Sequence, residues 1–295
     1  MFIVNNRKFF FILSAVLVIG SIVSVYMYGL KLGTDFTGGS LMEVSYTGSQ
    51  RNISDLRTAL DKLDLGTYTL QPTGTSNFTL RTHDLSNDEK NKILEALSFG
   101  PASDMQLVQF TSIGPVVGNE LKNKAMIAIG IVVLCIVLFI TFAFRKVSLP
   151  VASWKYGLAT IVALAHDVII PTGIFVAWTH FHGGEIDLLF VTALRAILGY
   201  SVHDTIVVFD RVRENLKNGT KEPFVETIGK SVTQTFGRSI NTSLTIFLSL
   251  VALYFIGGDS TKDFAFVLLI GVIAGTYSSI FVGSPLLVTL QKLQK

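Results

Sequence analysis

The sequence predicts a polytopic α-helical membrane protein, with six transmembrane helices and one α+β domain inserted between the first and second of them. Three observations carry that expectation. Of the 295 residues 49% are hydrophobic and 15% charged, and mean hydropathy is +0.54, a balance too apolar for a soluble core. Six apolar stretches approach the about 20 residues that cross ~30 Å of hydrocarbon. A more polar segment of about 90 residues separates the first stretch from the second.

The stretches run over 9–30, 125–144, 157–178, 188–209, 240–256 and 264–290. The first, FFFILSAVLVIGSIVSVYMYGL, follows Arg7 and Lys8. It exceeds the about 7–15 apolar residues of a signal-peptide core and no A-x-A site follows, so it reads as a retained helix. Basic residues of short loops stay on the cytoplasmic side. Arg7 and Lys8, then Arg145, Lys146 and Lys155, then the cluster from Arg211 to Arg238, and finally Lys292 and Lys295 share one side of a six-span arrangement. The opposite loops, 179–187 and 257–263, carry only Lys262. Both termini are therefore expected in the cytoplasm. The chain divides as 1–30, an outer domain at 31–122, and 123–295 with short cytoplasmic segments at 145–156 and 210–238. A net charge of +3 without a dense basic block speaks against nucleic acid as a partner. The single Cys135 excludes an intrachain disulfide and reads as apolar packing.

Within the outer segment, LMEVSYT at 41–47 alternates like a strand. NISDLRTALDKL at 52–63 opens on an Asn cap and repeats Ile53, Leu56, Leu60 and Leu63 at helical spacing. TYTLQP and NFTLRTH resemble two strands flanking Gly74, and LSNDEKNKILEAL at 85–97 carries the capping box Ser86 and Glu89. MQLVQFTSI supplies a last strand, and the order βαββαβ is that of a ferredoxin-like sandwich. His83 has no nearby partner in the sequence and reads as a surface residue. Asp35, Gly38 and Gly39 of DFTGGS join the domain to the first span, and the glycines permit backbone angles closed to other residues.

Charges inside the spans ask for a reason, since an Asp or Arg at mid-helix costs roughly 2.5–3.5 kcal/mol on insertion scales. Asp167 lies halfway along span three, and Pro171 removes the donor that would reach its carbonyl, so a bend with exposed backbone groups is expected. Asp204 lies about 9 Å inside the cytoplasmic end of span four, and Arg211 falls within about 20° of its face. Each Asp follows a His, giving His166 with Asp167 and His203 with Asp204. Neighbours diverge by about 100° on a helix, so His203 and Asp204 line a seam rather than form one ligand pair. Arg195 points to roughly the opposite face, to snorkel or to pair with a neighbouring subunit. Arg238, entering span five among Gln234, Thr235, Ser239, Asn241, Thr242, Ser243 and Thr245, serves equally as a cytoplasmic anchor. Gly271, Gly275 and Gly283, with Ser279, recur at four-residue spacing in span six, a pattern for close helix approach.

Neither HExxH nor GxSxG occurs, which removes the usual support for a zinc protease or a serine hydrolase. An aspartyl dyad of Asp167 and Asp204, a proton-coupled transporter, and a passive scaffold remain open, and only the transporter gives the intramembrane charges a purpose. DFTGGS, LAHDVII, GYSVHDTIVVFDRVREN, TQTFGRSINTS and IGVIAGTYSSIFV together resemble the SecD/SecF family of bacterial protein-export membrane proteins, within the resistance-nodulation-division superfamily. The resemblance covers essentially the whole chain. It implies a periplasmic outer domain, residence in the cytoplasmic membrane, no catalysis, and no cofactor or metal beyond a proton gradient. The implied partners are SecD, the SecYEG translocon, YajC and YidC, the unfolded preprotein and membrane lipid. It also implies proton coupling at Asp204 and Arg238, with His203 and Asp167 nearby, and a cytoplasmic motif of Asp210, Arg211 and Arg213. The residue before the span-four Asp is commonly Asn in the family, and His203 can fill the same hydrogen-bonding slot.

Overall fold

The structure, a computed structural model, describes residues 2–47, 51–73, 76–99, 104–145, 151–218 and 222–292. Gly74, Lys146 and Lys295, assigned above to a turn and to cytoplasmic charge, lie outside the described residues.

From the N-terminus, α1 (Phe2–Asn5) leads into α2 (Arg7–Tyr28), followed by α3 (Thr34–Thr37), β1 (Gly39–Tyr46), α4 (Ile53–Leu60), β2 (Thr69–Thr73), β3 (Asn77–Thr82), α5 (Asn87–Ser98) and β4 (Met105–Ile113). Long helices come next: α6 (Pro115–Ala143), α7 (Ser153–His182), α8 (Leu188–Lys217) and α9 (Phe224–Ile256). The last segment is α10 (Asp259–Tyr277), a π-helical turn (Ser278–Gly283) and α11 (Ser284–Lys292). Six helical segments are long and apolar enough to cross a membrane: α2, α6, α7, α8, α9 and Thr261–Lys292. The chain is a multi-pass membrane protein.

Two compact units result. One holds Met1–Leu30, Ile127–Gly184 and Leu189–Lys295; the other holds Lys31–Met126 together with Glu185–Leu188. The outer boundary read at 122 thus moves to 126, and a short piece of the loop between α7 and α8 joins the α+β unit.

In the α+β unit the caps act as read. Asn52 accepts a hydrogen bond from the Ser54 amide and Ser86 closes its capping box with Glu89, so α4 and α5 start where their first orphan N–H groups find oxygens. Leu56, Leu60, Ile93 and Leu97 are fully buried against Met42, Val44 and Leu80 of the sheet. The sheet order is β2-β3-β1-β4 with antiparallel neighbours throughout. His83, expected without a partner, contacts Glu89 at 3.4 Å and the Leu65 carbonyl at 3.3 Å, because the fold brings together residues distant in sequence.

In the helical unit several expected bounds are too short. The helix of the second span begins at Pro115 rather than 125, that of the fourth continues to Lys217 rather than 209, and that of the fifth begins at Phe224 rather than 240. Helical geometry continues into polar sequence that a hydropathy reading discards. The sixth span is interrupted by the π-helical turn, which adds a residue and breaks the four-residue repeat. α7 remains helical from Ser153 to His182 with Pro171 inside it. Ser24 of α2 donates to the Gly173 carbonyl at 2.8 Å and Ser21 to the Ile170 carbonyl at 3.5 Å. A Cβ on Gly173 would stand 2.3 Å from Ser21, so this close approach depends on glycine.

Candidate functional site

Two buried carboxylates organise the helical unit. Asp204 of α8 is 7% exposed, and its Oδ1 accepts a hydrogen bond from Ser239 Oγ of α9 at 2.5 Å. Its Oδ2 is buried with no hydrogen-bond partner among the described residues. Seven residues on, Arg211 donates from Nε to Gln234 Oε1 at 2.6 Å and from Nη1 to Glu214 at 2.5 Å. Asn215 then donates to Ser231 Oγ at 2.8 Å and to Gln234 at 2.9 Å. Asp204, Arg211 and Asn215 therefore form one stripe of α8 that meets Ser239, Gln234 and Ser231 of α9. Spacings of seven and four keep them on a common face.

His203 and Arg238 lie at the margin of this seam. Both are exposed and both are near enough to act electrostatically on Asp204, yet no ion pair joins Arg238 to Asp204 among the described residues. Arg238 is not at the entrance of a helix, as its flanking polarity suggests, but about four turns into α9. His203 faces away from the packed side that buries Asp204, as the 100° divergence requires. Asp210 pairs with Arg213 at 2.7 Å, and both continue α8 instead of starting a connecting segment. Arg195 is exposed and makes no hydrogen bond or ion pair with the described residues.

Asp167 of α7 is fully buried and fully satisfied. Its Oδ1 meets His166 Nδ1 at 2.9 Å; its Oδ2 accepts from Ser278 Oγ at 2.7 Å and from Ser201 Oγ. The network joins α7, α8 and the π-helical turn. Ser279 of the same turn bonds Thr205 at 2.8 Å, and the His166 ring stacks on Tyr277 with centroids 5.9 Å apart. Gly271 and Gly275 bring α10 onto α8: a Cβ would stand 2.2 Å from Ile197 at the first and 3.1 Å from Ser201 at the second. Gly283, expected to share that role, is buried, and a Cβ there would make ordinary contacts, 3.6 Å from the Ser278 carbonyl and 4.0 Å from Thr205 of α8.

Ser201 and Ser278 had not been singled out. The available signal was a hydroxyl inside an apolar span at a spacing of three from an Asp, which Ser201 and Asp204 show, although Ser201 serves the other carboxylate.

In the α+β unit, Asp35, Gly38 and Gly39, read as the hinge that joins the domain to the first span, are closely packed. Gly38 and Gly39 have φ of 77° and 125°, and a Cβ would stand 2.6 Å from Pro115 and 2.5 Å from the Thr82 carbonyl. Asp35 Oδ2 accepts from the Leu188 amide at 2.9 Å. The 185–188 segment is held further by Gly33 N–H to the Ile186 carbonyl and Ile186 N–H to the Lys31 carbonyl, both at 2.8 Å, and by an Arg81–Glu185 ion pair at 3.2 Å. Burial pushes the Glu185 carboxyl up from its ordinary range, with Arg81 opposing. No sequence signal marked this clip, whose partners lie more than 100 residues apart.

Six long apolar helices with an α+β unit inserted after the first of them, and serine-bound carboxylates buried between those helices, describe a multi-pass membrane protein. Sequence comparison places it further. The profile of the protein export membrane protein SecD/SecF, C-terminal, matches residues 93–293, and that of the SecD/SecF GG motif matches residues 23–49. The chain belongs to the SecD/SecF family. It is 42% identical to the protein translocase subunit SecF of Thermobaculum terrenum over 97% of this chain and 93% of that protein. It is 36% identical to the SecF subunit of Anaerolinea thermophila over 97% and 92%. The crystal structure of SecDF, a translocon-associated membrane protein from Thermus thermophilus, superposes with a TM-score of 0.84 at 29% identity. That match covers 98% of this chain and 38% of the SecDF chain.

Proposed function

We propose that this chain is the SecF-like half of a proton-driven unit that completes preprotein export, with Asp204 as the proton-binding group. The observation that carries the reading is the buried, unpartnered Oδ2 of Asp204 beside the exposed Arg238. A buried carboxylate oxygen without a donor is the place where adding a proton removes an uncompensated charge. One charge crossing 100 mV supplies ~2.3 kcal/mol, enough to bias two helix arrangements against each other. Arg238 is the counter-charge that engages when the proton leaves.

In this reading SecD supplies the other half, SecYEG the channel, and YajC and YidC are accessory partners; the substrate is unfolded preprotein and the surrounding medium is membrane lipid. The α+β unit is a ferredoxin-like module on the periplasmic side of the inner membrane, and both termini are cytoplasmic. The proton gradient stands in place of a cofactor, and no bond of the substrate is cleaved. An aspartyl dyad is disfavoured because Asp167 is engaged by His166, Ser201 and Ser278 and Asp204 by Ser239, so the carboxylates share no hydrogen bond.

Asp204→Asn tests the reading. The variant is expected to insert and to co-purify with SecD while export into proton-energised vesicles falls to the level without this chain. Export at the wild-type rate overturns the assignment.

A further inference from the structure

The membrane-spanning helices differ in what they leave exposed. α2 exposes Ile12, Val16 and Ile19, and α6 exposes Ile131, Leu134 and Phe139, large apolar side chains that suit lipid tails. α8 does not. From Thr192 to His203 its exposed residues are Thr192, Arg195, Ala196, Gly199 and His203, with no large apolar side chain among them. Spacings of three and four keep them on one side of the helix. α9 carries both characters: Phe236, Ile240 and Leu244 are exposed on one side, and Arg238, Asn241, Thr242 and Thr245 on another. Arg195 stands seven residues into α8, about 10 Å along its axis, where a charge facing hydrocarbon is costly. It makes no hydrogen bond or ion pair with the described residues. The neighbouring sequence holds no acid for it: between Leu188 and Phe209 and between Phe236 and Ile256 only Asp204 is acidic, and Asp204 is buried against Ser239.

We propose that Arg195 anchors an intramembrane ion pair with a carboxylate of SecD, carried on a helix that lies along the exposed side of α8. The inference rests on the reading that SecD supplies the other half of the unit, and it names the contact by which α8 recognises that half. Charge complementarity selects the occupant. Arg195 cannot shed its proton, so inside the bilayer it is neutralised by a carboxylate opposite it. The planar guanidinium holds that carboxylate in one orientation through two parallel hydrogen bonds. His203 and Arg238, exposed on the same two helices, add no negative charge that would compete for it. Lipid tails offer nothing to these polar side chains. A phosphate headgroup would draw the guanidinium outward towards Leu188 and leave Ala196 and Gly199 against tails. A packed helix suits both small residues: a Cβ at Gly199 would meet nothing within 4 Å, so the space over it is open to a neighbouring helix.

The experiment co-expresses the full chain with SecD, recovers it through a tag in mild detergent and measures the ratio of SecD to chain. Arg195→Leu and Arg195→Glu are each expected to lower that ratio about tenfold. Accumulation of the chain itself is expected to stay normal, since Arg195 bonds to none of the described residues. One SecD variant with an intramembrane Asp or Glu changed to Lys is expected to restore recovery with Arg195→Glu and not with Arg195→Leu. Wild-type recovery by Arg195→Leu shows an arginine that only snorkels and overturns the proposal. So does a loss that no such SecD change restores, but that removal of phosphatidylglycerol from nanodiscs holding the wild-type pair reproduces, because it assigns Arg195 to a lipid headgroup. Asp204→Asn is expected to recover SecD as the wild type does. Absence of SecD from the wild-type preparation faults the proposed function and this pairing together, whereas recovery that ignores Arg195 faults the pairing alone.

Discussion

Asp167 and Asp204 are carboxylates of the same type, each preceded by a histidine and each buried in an apolar helical unit, but their surroundings differ. Asp167 sits where three elements converge, and three side chains contact its two oxygens. Asp204 sits on a two-helix seam with one serine for one oxygen. A carboxylate whose two oxygens are both engaged has its hydrogen bonds to lose, whereas one with a bare buried oxygen has a bond to gain. The pair differs in unsatisfied hydrogen-bonding capacity, and that difference, not burial alone, is what the proposed role of Asp204 rests on.

That contrast can be broken most sharply by exchanging the losses. Beyond the all-or-none outcome expected for Asp204→Asn, Asp167→Ala strands two serine hydroxyls and His166. It is expected to lower stability by about 3 kcal/mol, seen as reduced accumulation and a lower melting temperature in detergent, while Asp204→Ala, which removes a single hydrogen bond, lowers it by only about 1 kcal/mol. Equal melting of the two variants would remove the distinction. A smaller effect tests the counter-charge: Arg238→Lys should cut proton-driven export about tenfold, because an ammonium cannot offer the parallel donors of a guanidinium. Export rates in energised and uncoupled vesicles measure it. Ser239→Ala removes the one hydrogen bond to Asp204, worth about 1 kcal/mol, and should slow export several-fold with normal accumulation.

The mildest case is a carboxylate in water. Hydrogen bonds from Ser86, first its side chain and then its backbone, hold Glu89 down at about 2, with His83 adding to the effect. Its folded pKa lies below the unfolded value of 4.5, so its contribution to the α+β unit is complete above that pH and is lost as pH falls from 4.5 through about 2. Acid titration of chemical shifts near α5 should show this, and Ser86→Ala should move the Glu89 midpoint upward.

Local signals read from the sequence transferred well where they acted over a few residues. Asn52, and Ser86 with Glu89, marked helix starts, and MQLVQFTSI coincides with β4 from Met105 to Ile113. The helices run on to Pro115, Phe224 and Lys217, past the apolar stretches read from the sequence, because backbone hydrogen bonding continues where hydropathy falls. Pro115, at the first helical position, was the available sign for α6. Asp204 and Asp167 stood out by charge alone. Their serines did not, since a serine in an apolar helix usually bonds its own backbone, as Ser249 does with the Thr245 carbonyl. The π-helical turn left no trace in hydropathy.

The clip of residues 185–188 bears on freedom of movement. A body joined to a chain by its two ends alone can pivot about the line between them, and such swivelling is nearly free. The α+β unit also takes in a second piece of chain, pinned by Asp35, by two backbone hydrogen bonds and by Arg81, and that piece leads covalently into α7 on one side and α8 on the other. A pull on α8 therefore reaches the α+β unit along the chain itself, like a rein. Releasing residues 185–188 from the α+β unit means unfastening four small bonds at once.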